Sequence, residues 1–335
     1  MKRRRAGLLC AAAWLAAAAA APVRPAASQK KRAAVVLSPR LVKGQSLRYE
    51  IAFHSTSKSS TESVIQDPGA SAGEELSFRI RLRLEVLEVQ AQAGGSGAAS
   101  VAGARPAVRL RVTYEQVAAK QGSDDPAGMT GNTQEAAQRL AALEGKSFEC
   151  ALDPGGASEC SGGVADVPGA AEGLQGWLTQ IFGARGIPEK GIAPGERWGD
   201  EQEAGGAIPL AGLRWVRQFT YMGNEPCQAG AAAADAPGEA CAVVRARSLL
   251  IRKGGRKNAT PGAFREKGLR TAGTARGANE SLTRFSLANG MVVSAAEAGW
   301  QTTDVTVSTA DGERKIRTTT DLKTNTTLTL LRNLP

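Results

Sequence analysis

Histidine is the scarcest of the residues that could do chemistry in this chain of 335 residues, because His54 is the only one. Metal sites built on two or more imidazoles are therefore excluded. A Ser-His or Cys-His mechanism would depend on His54 alone. This residue follows a predicted strand on its polar side, where an exposed histidine is the ordinary occurrence. We assign it no catalytic role.

A second candidate for catalysis is the Ser-x-x-Lys pattern at Ser55 and Lys58. That pattern supports nucleophilic chemistry when a helix N-terminus aims the lysine at the serine. Here the residues belong to a polar Ser/Thr segment, which favours a loop and a chance match. Paired carboxylates could serve glycoside hydrolysis, but those of this chain lie in Gly/Ala-rich surroundings that predict solvated loop acids. They are Asp124-Asp125, Glu74-Glu75 and Glu201/Glu203.

Cysteine spacing indicates disulfide bonds. Beyond the N-terminal segment the cysteines are Cys150, Cys160, Cys227 and Cys241. Such a set allows three pairings. The turn signal 153–156 favours a bond from Cys150 to Cys160, which leaves Cys227 and Cys241 to close the loop 228–240. Neither pair has the close spacing typical of a zinc site. We expect an oxidising compartment and no cofactor.

Arginines recur at the polar positions of two predicted strands, at Arg79, Arg81, Arg83, Arg109 and Arg111. Neighbouring strands would gather them into an anion-binding face for phosphate head groups or acidic glycans. Alternatively, they are solvent-facing residues whose stems cover their neighbours. Both interpretations stay open at this point, and Arg245 and Arg247 would extend the same face.

The elements that position these side chains are strands. Residues 76–86 read Leu-Ser-Phe-Arg-Ile-Arg-Leu-Arg-Leu-Glu-Val and alternate strictly between apolar and polar types. Only a backbone of period two places all the apolar side chains on one face. Leu87 and Val89 take the opposite parity, which indicates a β-bulge. Similar alternation at 47–53 and 108–115 extends the pattern, and Asn289-Gly290 predicts a hairpin with a type I′ turn.

Two segments carry helical periodicity instead. A short helix is predicted at 133–143. A longer apolar stripe is formed by Leu174, Trp177, Leu178, Ile181 and Phe182. The fold class is therefore all-β with one or two short helices: a large antiparallel twisted sheet or partly open barrel, with an amphipathic helix packed on its apolar face.

The N-terminus is typical of a secretory signal peptide. Lys2-Arg3-Arg4-Arg5 precedes a small apolar run at 6–21, and small residues suit cleavage after Ser28. The run is too short and too rich in alanine for a membrane-spanning helix. The formal net charge is +10, and five of the positive charges leave with that peptide. Aromatic residues make up 4% of the chain, so nucleic-acid binding is not expected.

The predicted domain organisation is simple. A cleaved signal peptide at 1–28 precedes a disordered tail at 29–40 and a single large β-rich domain at 41–335. Composition predicts flexible loops in this domain near 90–107, 119–131, 228–240 and 253–280; the first is Gly/Ala/Ser-rich, the third Ala/Gly-rich and the last Gly-, Lys- and Arg-rich.

The order of several turn signals resembles a loosely defined group of exported bacterial β-rich proteins of unknown function. The signals are Lys43-Gly44 before Tyr49, Leu143-Glu144-Gly145 before Phe148, Asp153 with Gly155, Pro194-Gly195 before Trp198, and Phe285 before Asn289-Gly290. The resemblance implies a periplasmic or secreted location and a large antiparallel sheet. It implies no catalytic residues.

These observations favour an exported envelope protein with a non-catalytic binding role, in which the sheet holds an apolar ligand or another envelope protein. The alternative is a structural or assembly component of the cell envelope. A third hypothesis is a hydrolase that uses loop carboxylates or Ser55 and Lys58. We expect no enzyme, no nucleic-acid partner and no transmembrane span after processing.

Overall fold

The computed structural model describes residues 34–63, 70–90, 107–123, 137–153, 158–161, 170–182, 186–188, 190–205, 208–227, 239–254 and 259–331. All of them belong to one compact unit, Ala34–Pro335. The predicted signal peptide lies outside these residues, as do 91–106, 124–131, 228–238 and 255–258 within the predicted loops. No helix among the described residues is both long enough and apolar enough to cross a membrane.

In the part of the chain that the structure describes, the unit is built on eleven strands and three short helices, which confirms the predicted all-β class with one more helix than the sequence indicates. The strands are β1 (Ser46–Ser63), β2 (Ala70–Gln90), β3 (Ala107–Ser123), β4 (Ser147–Leu152), β5 (Ser158–Ser161), β6 (Arg197–Glu203), β7 (Leu213–Pro226), β8 (Ala240–Arg252), β9 (Leu269–Ser286), β10 (Val292–Thr309) and β11 (Lys315–Leu331). Residues 137–141 are helical and form the described part of α1. The other helices are α2 (Ala170–Ile181) and α3 (Gly262–Glu266).

All strands belong to one open antiparallel sheet in the order β5-β4-β3-β2-β1-β11-β10-β9-β8-β7-β6. The chain runs outward from β1 to one edge at β5. It then restarts at the opposite edge with β6 and returns strand by strand to β11. The first and last strands therefore pair in the middle of the sheet, with Ile51 opposite Leu328. α2 lies in the connection between the two edge strands.

The alternating side chains of β2 produce one buried face, as the sequence predicts. Ile80, Leu82, Leu84 and Val86 are buried on one face, which we call the inner face. The predicted bulge is also present, because the register with β3 shifts between Val86 and Glu88. Complete burial of this kind contributes about 1.5–3 kcal/mol for each large apolar side chain.

α2 packs its apolar stripe on the inner face. Leu174, Leu178 and Ile181 are buried within the main core. Trp177 meets Phe78 of β2 edge-on, with ring centroids 6.3 Å apart. The amphipathic helix over the sheet is thus confirmed, and its apolar stripe serves the core of this chain.

A second, smaller core lies toward the other end of the strands. Leu250 has the same parity on β8 as Val244 and Ala246, so it shares their face. It packs in a separate cluster with Leu210, Leu213, Ala259 and Val305. Ser248 stands between the two apolar regions on β8 and is itself buried.

Both predicted cysteine pairings are found. Cys150 and Cys160 are bonded directly opposite each other on β4 and β5. The bond from Cys227 to Cys241 links the end of β7 to the start of β8.

The structure differs from the sequence prediction in four further places. Residues 269–280 of the predicted loop 253–280 belong to β9, and 119–123 belong to β3. Within the predicted disordered tail, Val35 forms a β-bridge with Ile192 and Leu37 is buried, because an apolar segment is available there to cover the core. The turn at Asn289-Gly290 is not type I′, since that turn needs positive φ at both residues and only Gly290 has it.

Candidate ligand-binding cleft

The floor of a cleft on the inner face comes from strands β7, β8 and β9. Phe219, Val244, Ala246 and Phe285 project from adjacent strands and form an apolar surface. Alternation explains this arrangement, because each of these residues has the inward parity of its strand. The hydroxyl groups of Ser281 and Thr283 add polar points to the same floor.

One wall of the cleft is the flank of α2 that does not face the main core. Gly176, Thr179 and Gln180 line it, with Ile187 beyond the helix. The cleft is open to solvent on one side and has a volume of about 240 Å³. An ideal Cβ placed on Gly176 would meet nothing within 4 Å. A side chain at this helical position would therefore extend into space that is now open.

Close packing at Gly186 fixes the adjoining edge. Its φ is +81°, and a Cβ there would stand 2.7 Å from the ring of Phe219. The indole Nε1 of Trp198 donates a hydrogen bond to the Gly186 carbonyl oxygen. Trp198 also stacks on Phe219 with ring centroids 5.6 Å apart. This part of the floor is consequently rigid.

Three charged residues lie at the borders of the cleft or next to it. Arg217 donates two hydrogen bonds to the Asp200 carboxylate, at 2.6 and 2.5 Å, so that pair is bidentate. The Arg217 guanidinium carbon also lies 5.8 Å from the centre of the Phe219 ring. Glu297 lines the cleft from β10, and burial raises the pKa of its carboxyl while the Arg217 charge acts in the opposite direction.

The predicted anion-binding arginines lie on the outer face, opposite to α2, and each has a glutamate within ion-pair distance. Glu50 lies 3.8 Å from Arg79 and 3.1 Å from Arg81. The other pairs are Arg83 with Glu115, Arg109 with Glu88 and Glu149, and Arg111 with Glu85 and Glu149. Arg245 and Arg247 are both paired with Glu280. The anion-binding role stays a prediction, and any anion would compete with these carboxylates.

A second irregularity of the sheet supplies one of those carboxylates. Arg48 and Arg83 stand directly opposite each other on β1 and β2, an arrangement that like charges disfavour. Glu115 has no partner across β2, because the register passes from Arg81 with Gln116 to Leu82 with Tyr114. The bulge places the Glu115 carboxylate 3.1 Å from Arg48 and 3.6 Å from Arg83.

The structure does not bring the other candidate groups together. Ser55 and Lys58 lie on β1, not in a loop, where a spacing of three puts their side chains on opposite faces. Ser55 donates a hydrogen bond to the Leu76 carbonyl oxygen at 3.5 Å. His54 lies 3.6 Å from Glu75 and is well exposed.

Two of the paired acids, Glu201 and Glu203 of β6, lie on one face and both contact Arg214. Lys253 also contacts Glu201 and holds the pKa of its carboxyl below its usual range. Asp124 and Asp125 lie outside the described residues. Within the described ranges, no group of three or more His, Cys, Asp or Glu side chains could hold a metal ion.

Sequence reasoning missed the residues that form this cleft, although two of them carry a signal. Arg217 has the parity of Trp215, Phe219 and Tyr221, and Glu297 has that of Ala295. A charged side chain at the inward position of an otherwise apolar strand is uncommon and marks a site. The shape of the cleft was not predictable, because it depends on the seating of α2.

The comparisons with known proteins give no match to a family model or to a curated protein. Among solved structures, similarity is found to lipovitellin, in a structure that concerns its lipid–protein interactions, with 10% identity and a TM-score of 0.42 over 88% of this chain and 26% of that chain. This chain therefore spans about a quarter of the lipovitellin chain. A DUF1329 family protein from Desulfovibrio piger is also similar, with 7% identity and a TM-score of 0.13 over 83% of this chain and 84% of that chain. A member of an uncharacterised bacterial family is thus a structural neighbour at weak similarity.

Proposed function

We propose that this protein is a non-catalytic binding protein that holds a small amphiphilic ligand in the cleft between α2 and strands β7 to β10. The observation that carries the proposal is the open volume of about 240 Å³ on the inner face, between α2 and a floor of apolar side chains. Ligand pockets are concave and combine an apolar surface with polar groups that orient the ligand. This cleft sets the apolar side chains of its floor beside polar side chains from α2, β9 and β10.

The volume of the cleft limits the size of the ligand that it can hold. Pockets for drug-sized molecules measure roughly 300–1,000 Å³, so this open cleft suits a single alkyl chain or part of a larger molecule such as a planar dye. Phe219, Val244 and Phe285 would take the apolar part. The charged side chains of Arg217 and Glu297 would take the polar part, which gives the ligand one orientation.

A binding role fits the chemistry of the lining better than catalysis does. The hydroxyl groups of Thr179, Ser281 and Thr283 have no histidine or lysine beside them among the described lining residues. Arg217 already has both of its facing hydrogen-bond donors on Asp200. The proposal therefore uses these groups to orient a ligand and assigns them no role in bond making.

We place this function outside the cytoplasm, in the bacterial envelope or in the secreted fraction. The two disulfides support that location, since such bonds persist in oxidising compartments.

Blocking the cleft at Gly176 tests the proposal. The Gly176→Leu variant puts a side chain into the open volume, and leucine is also a better helix former than glycine. We expect the neutral dye Nile red to bind the wild-type protein saturably and to bind Gly176→Leu at least tenfold more weakly. Gly262→Leu on α3 is the matched control, because a Cβ there meets nothing within 4 Å and it lies outside the cleft lining.

Two results would overturn the proposal. One is a wild-type protein that leaves the dye dark and carries no bound small molecule in native mass spectrometry. The other is equal dye affinity for the wild type and Gly176→Leu. Circular dichroism of each variant shows whether the fold is retained.

A further inference from the structure

The cleft carries a negative charge, that of Glu297, which indicates the kind of ligand that fits. Glu297 occupies an inward position of β10, opposite Ser281 of β9 and Thr326 of β11. Both neighbours across the sheet are uncharged. Among the residues that the structure describes, no cation lies within ion-pair distance of the Glu297 carboxylate. Its negative charge is therefore uncompensated by direct contact.

The charged groups that face Glu297 from the strands toward the sheet edge already balance each other. Arg217 of β7 is engaged by the Asp200 carboxylate of β6 through two short hydrogen bonds. This pair is only partly exposed, with side-chain exposures of 19% and 31%. It contributes one positive and one negative charge, so the three groups together carry a single negative charge.

The remaining surroundings add no charge. β8 contributes Val244 and Ala246, and α2 contributes Gly176, Thr179 and Gln180. A negative charge in such a partly apolar setting is poorly solvated, which is why burial raises the pKa of Glu297. A ligand that brings one positive charge would restore neutrality where water cannot.

We propose that the ligand of this cleft is an amphiphile with a protonated amine, whose ammonium group pairs with Glu297 while its alkyl chain lies on Phe219, Val244 and Phe285. The inference rests on the proposed function and adds the chemical class of the head group. An ammonium group presents three donors. The Glu297 carboxylate and the hydroxyl groups of Ser281 and Thr283 offer acceptors along one side of the cleft.

An anionic amphiphile fits the same cleft poorly. Its carboxylate would need Arg217, and Arg217 would have to leave Asp200 and give up a bidentate pair. After that exchange the carboxylates of Asp200 and Glu297 would both lack a cation, whereas only Glu297 lacks one before it. We therefore expect the cleft to bind a cationic head group most tightly, a neutral one less tightly and an anionic one least.

Three probes of equal chain length separate the possibilities: octylammonium, octanol and octanoate. Their affinities are measured by displacement of Nile red or by calorimetry at neutral pH. We expect the wild-type protein to bind octylammonium about tenfold more tightly than octanol, the ratio typical of one charge-assisted hydrogen bond, and octanoate most weakly. In Glu297→Gln the advantage of octylammonium over octanol disappears, while octanol affinity changes less than threefold.

Glu280→Gln is the matched control. Glu280 lies on β9 next to Ser281 but points to the outer face, where it pairs with Arg245 and Arg247. This variant should keep the octylammonium preference of the wild type.

The outcomes distinguish the two proposals. If none of the three probes binds the wild type, the binding function itself fails. If octanol binds and octylammonium gains nothing over it, or if Glu297→Gln keeps the gain, the ammonium assignment is wrong while the binding function stands. A preference for octanoate would also contradict the ammonium assignment, and it would indicate an anionic head group that pairs with Arg217.

Discussion

Trp177 of α2 meets Phe78 of β2 edge-on, with ring centroids 6.3 Å apart and planes at 81°. Phe78 in turn stacks on Phe53 of β1, with centroids 4.8 Å apart. The helix is thus anchored by an aromatic contact to strands near the centre of the sheet, and this anchor leaves the opposite flank of α2 over the cleft.

Removing the anchor should loosen α2. We expect Trp177→Ala to lower the free energy of unfolding by about 2–4 kcal/mol, since it deletes a large, partly buried ring and an aromatic pair. Urea denaturation followed by circular dichroism measures the change. Trp300→Ala is the control, because Trp300 is 47% exposed, and it should change stability little. Equal effects of the two variants would contradict the anchoring role.

Glu297 should make the protein less stable as pH rises. Burial raises the pKa of this carboxyl in the folded state above its ordinary value of 4.5, so the folded state holds the proton to a higher pH than the unfolded state does. The stabilising contribution is complete below pH 4.5 and is lost as pH rises through the folded-state pKa.

The comparison of wild type with Glu297→Gln isolates this contribution. Glutamine does not ionise, so we expect the variant to melt at a higher temperature at pH 7 and the difference to vanish toward pH 4. Thermal melts across that range provide the measurement. A difference that grows toward acid pH would show that the pKa of Glu297 is lowered in the folded state.

The outer-face glutamates should weaken anion binding by the arginines. We expect Glu50→Gln together with Glu115→Gln to increase the affinity for inorganic phosphate severalfold, because it removes the carboxylates near Arg79, Arg81, Arg48 and Arg83. Stability should fall by only about 1 kcal/mol for each removed pair, as these groups are substantially exposed. Phosphate titration by calorimetry at low salt tests this, and tight binding by the wild type would show that the pairs open readily.

Gly273 should tolerate no side chain. Its φ is +146°, and a Cβ would stand 2.0 Å from the Asp304 carbonyl oxygen on β10. We expect Gly273→Ala to cost at least about 2 kcal/mol through backbone strain and the clash. Gly262→Ala on α3, where a Cβ meets nothing within 4 Å, should be close to neutral in the same denaturation assay.

The parts of the fold that the sequence predicts are those governed by local periodicity. β2 with its bulge and the apolar stripe of α2 follow from the spacing of apolar residues alone. The disulfide pairing follows from turn signals between the cysteines. In each case the information lies within about 20 residues of chain, a span over which pattern reasoning is reliable.

β9 is a strand that the local sequence pattern does not predict. Its residues 269–280 are rich in Gly, Ala and Thr, a composition typical of a loop. They form a strand because β8 and β10 pair with them, and because small residues fit beneath larger neighbours. A Cβ on Gly277, for example, would stand 3.0 Å from the Trp215 ring. Such pairing depends on residues remote in sequence, as do the glutamates that accompany the outer-face arginines.

The strand order also has a consequence for how this chain assembles. β1 and β11 each offer a backbone edge, of 18 and 17 residues, that is satisfied only when they meet. Contacts between the two ends of a chain form slowly, because loop closure must precede them. Until β1 pairs with β11, each half of the sheet presents a long unpaired edge. Two molecules at that stage can exchange halves, which is domain swapping. Dimers formed by such an exchange would keep the native pairing of β1 with β11, but across two chains.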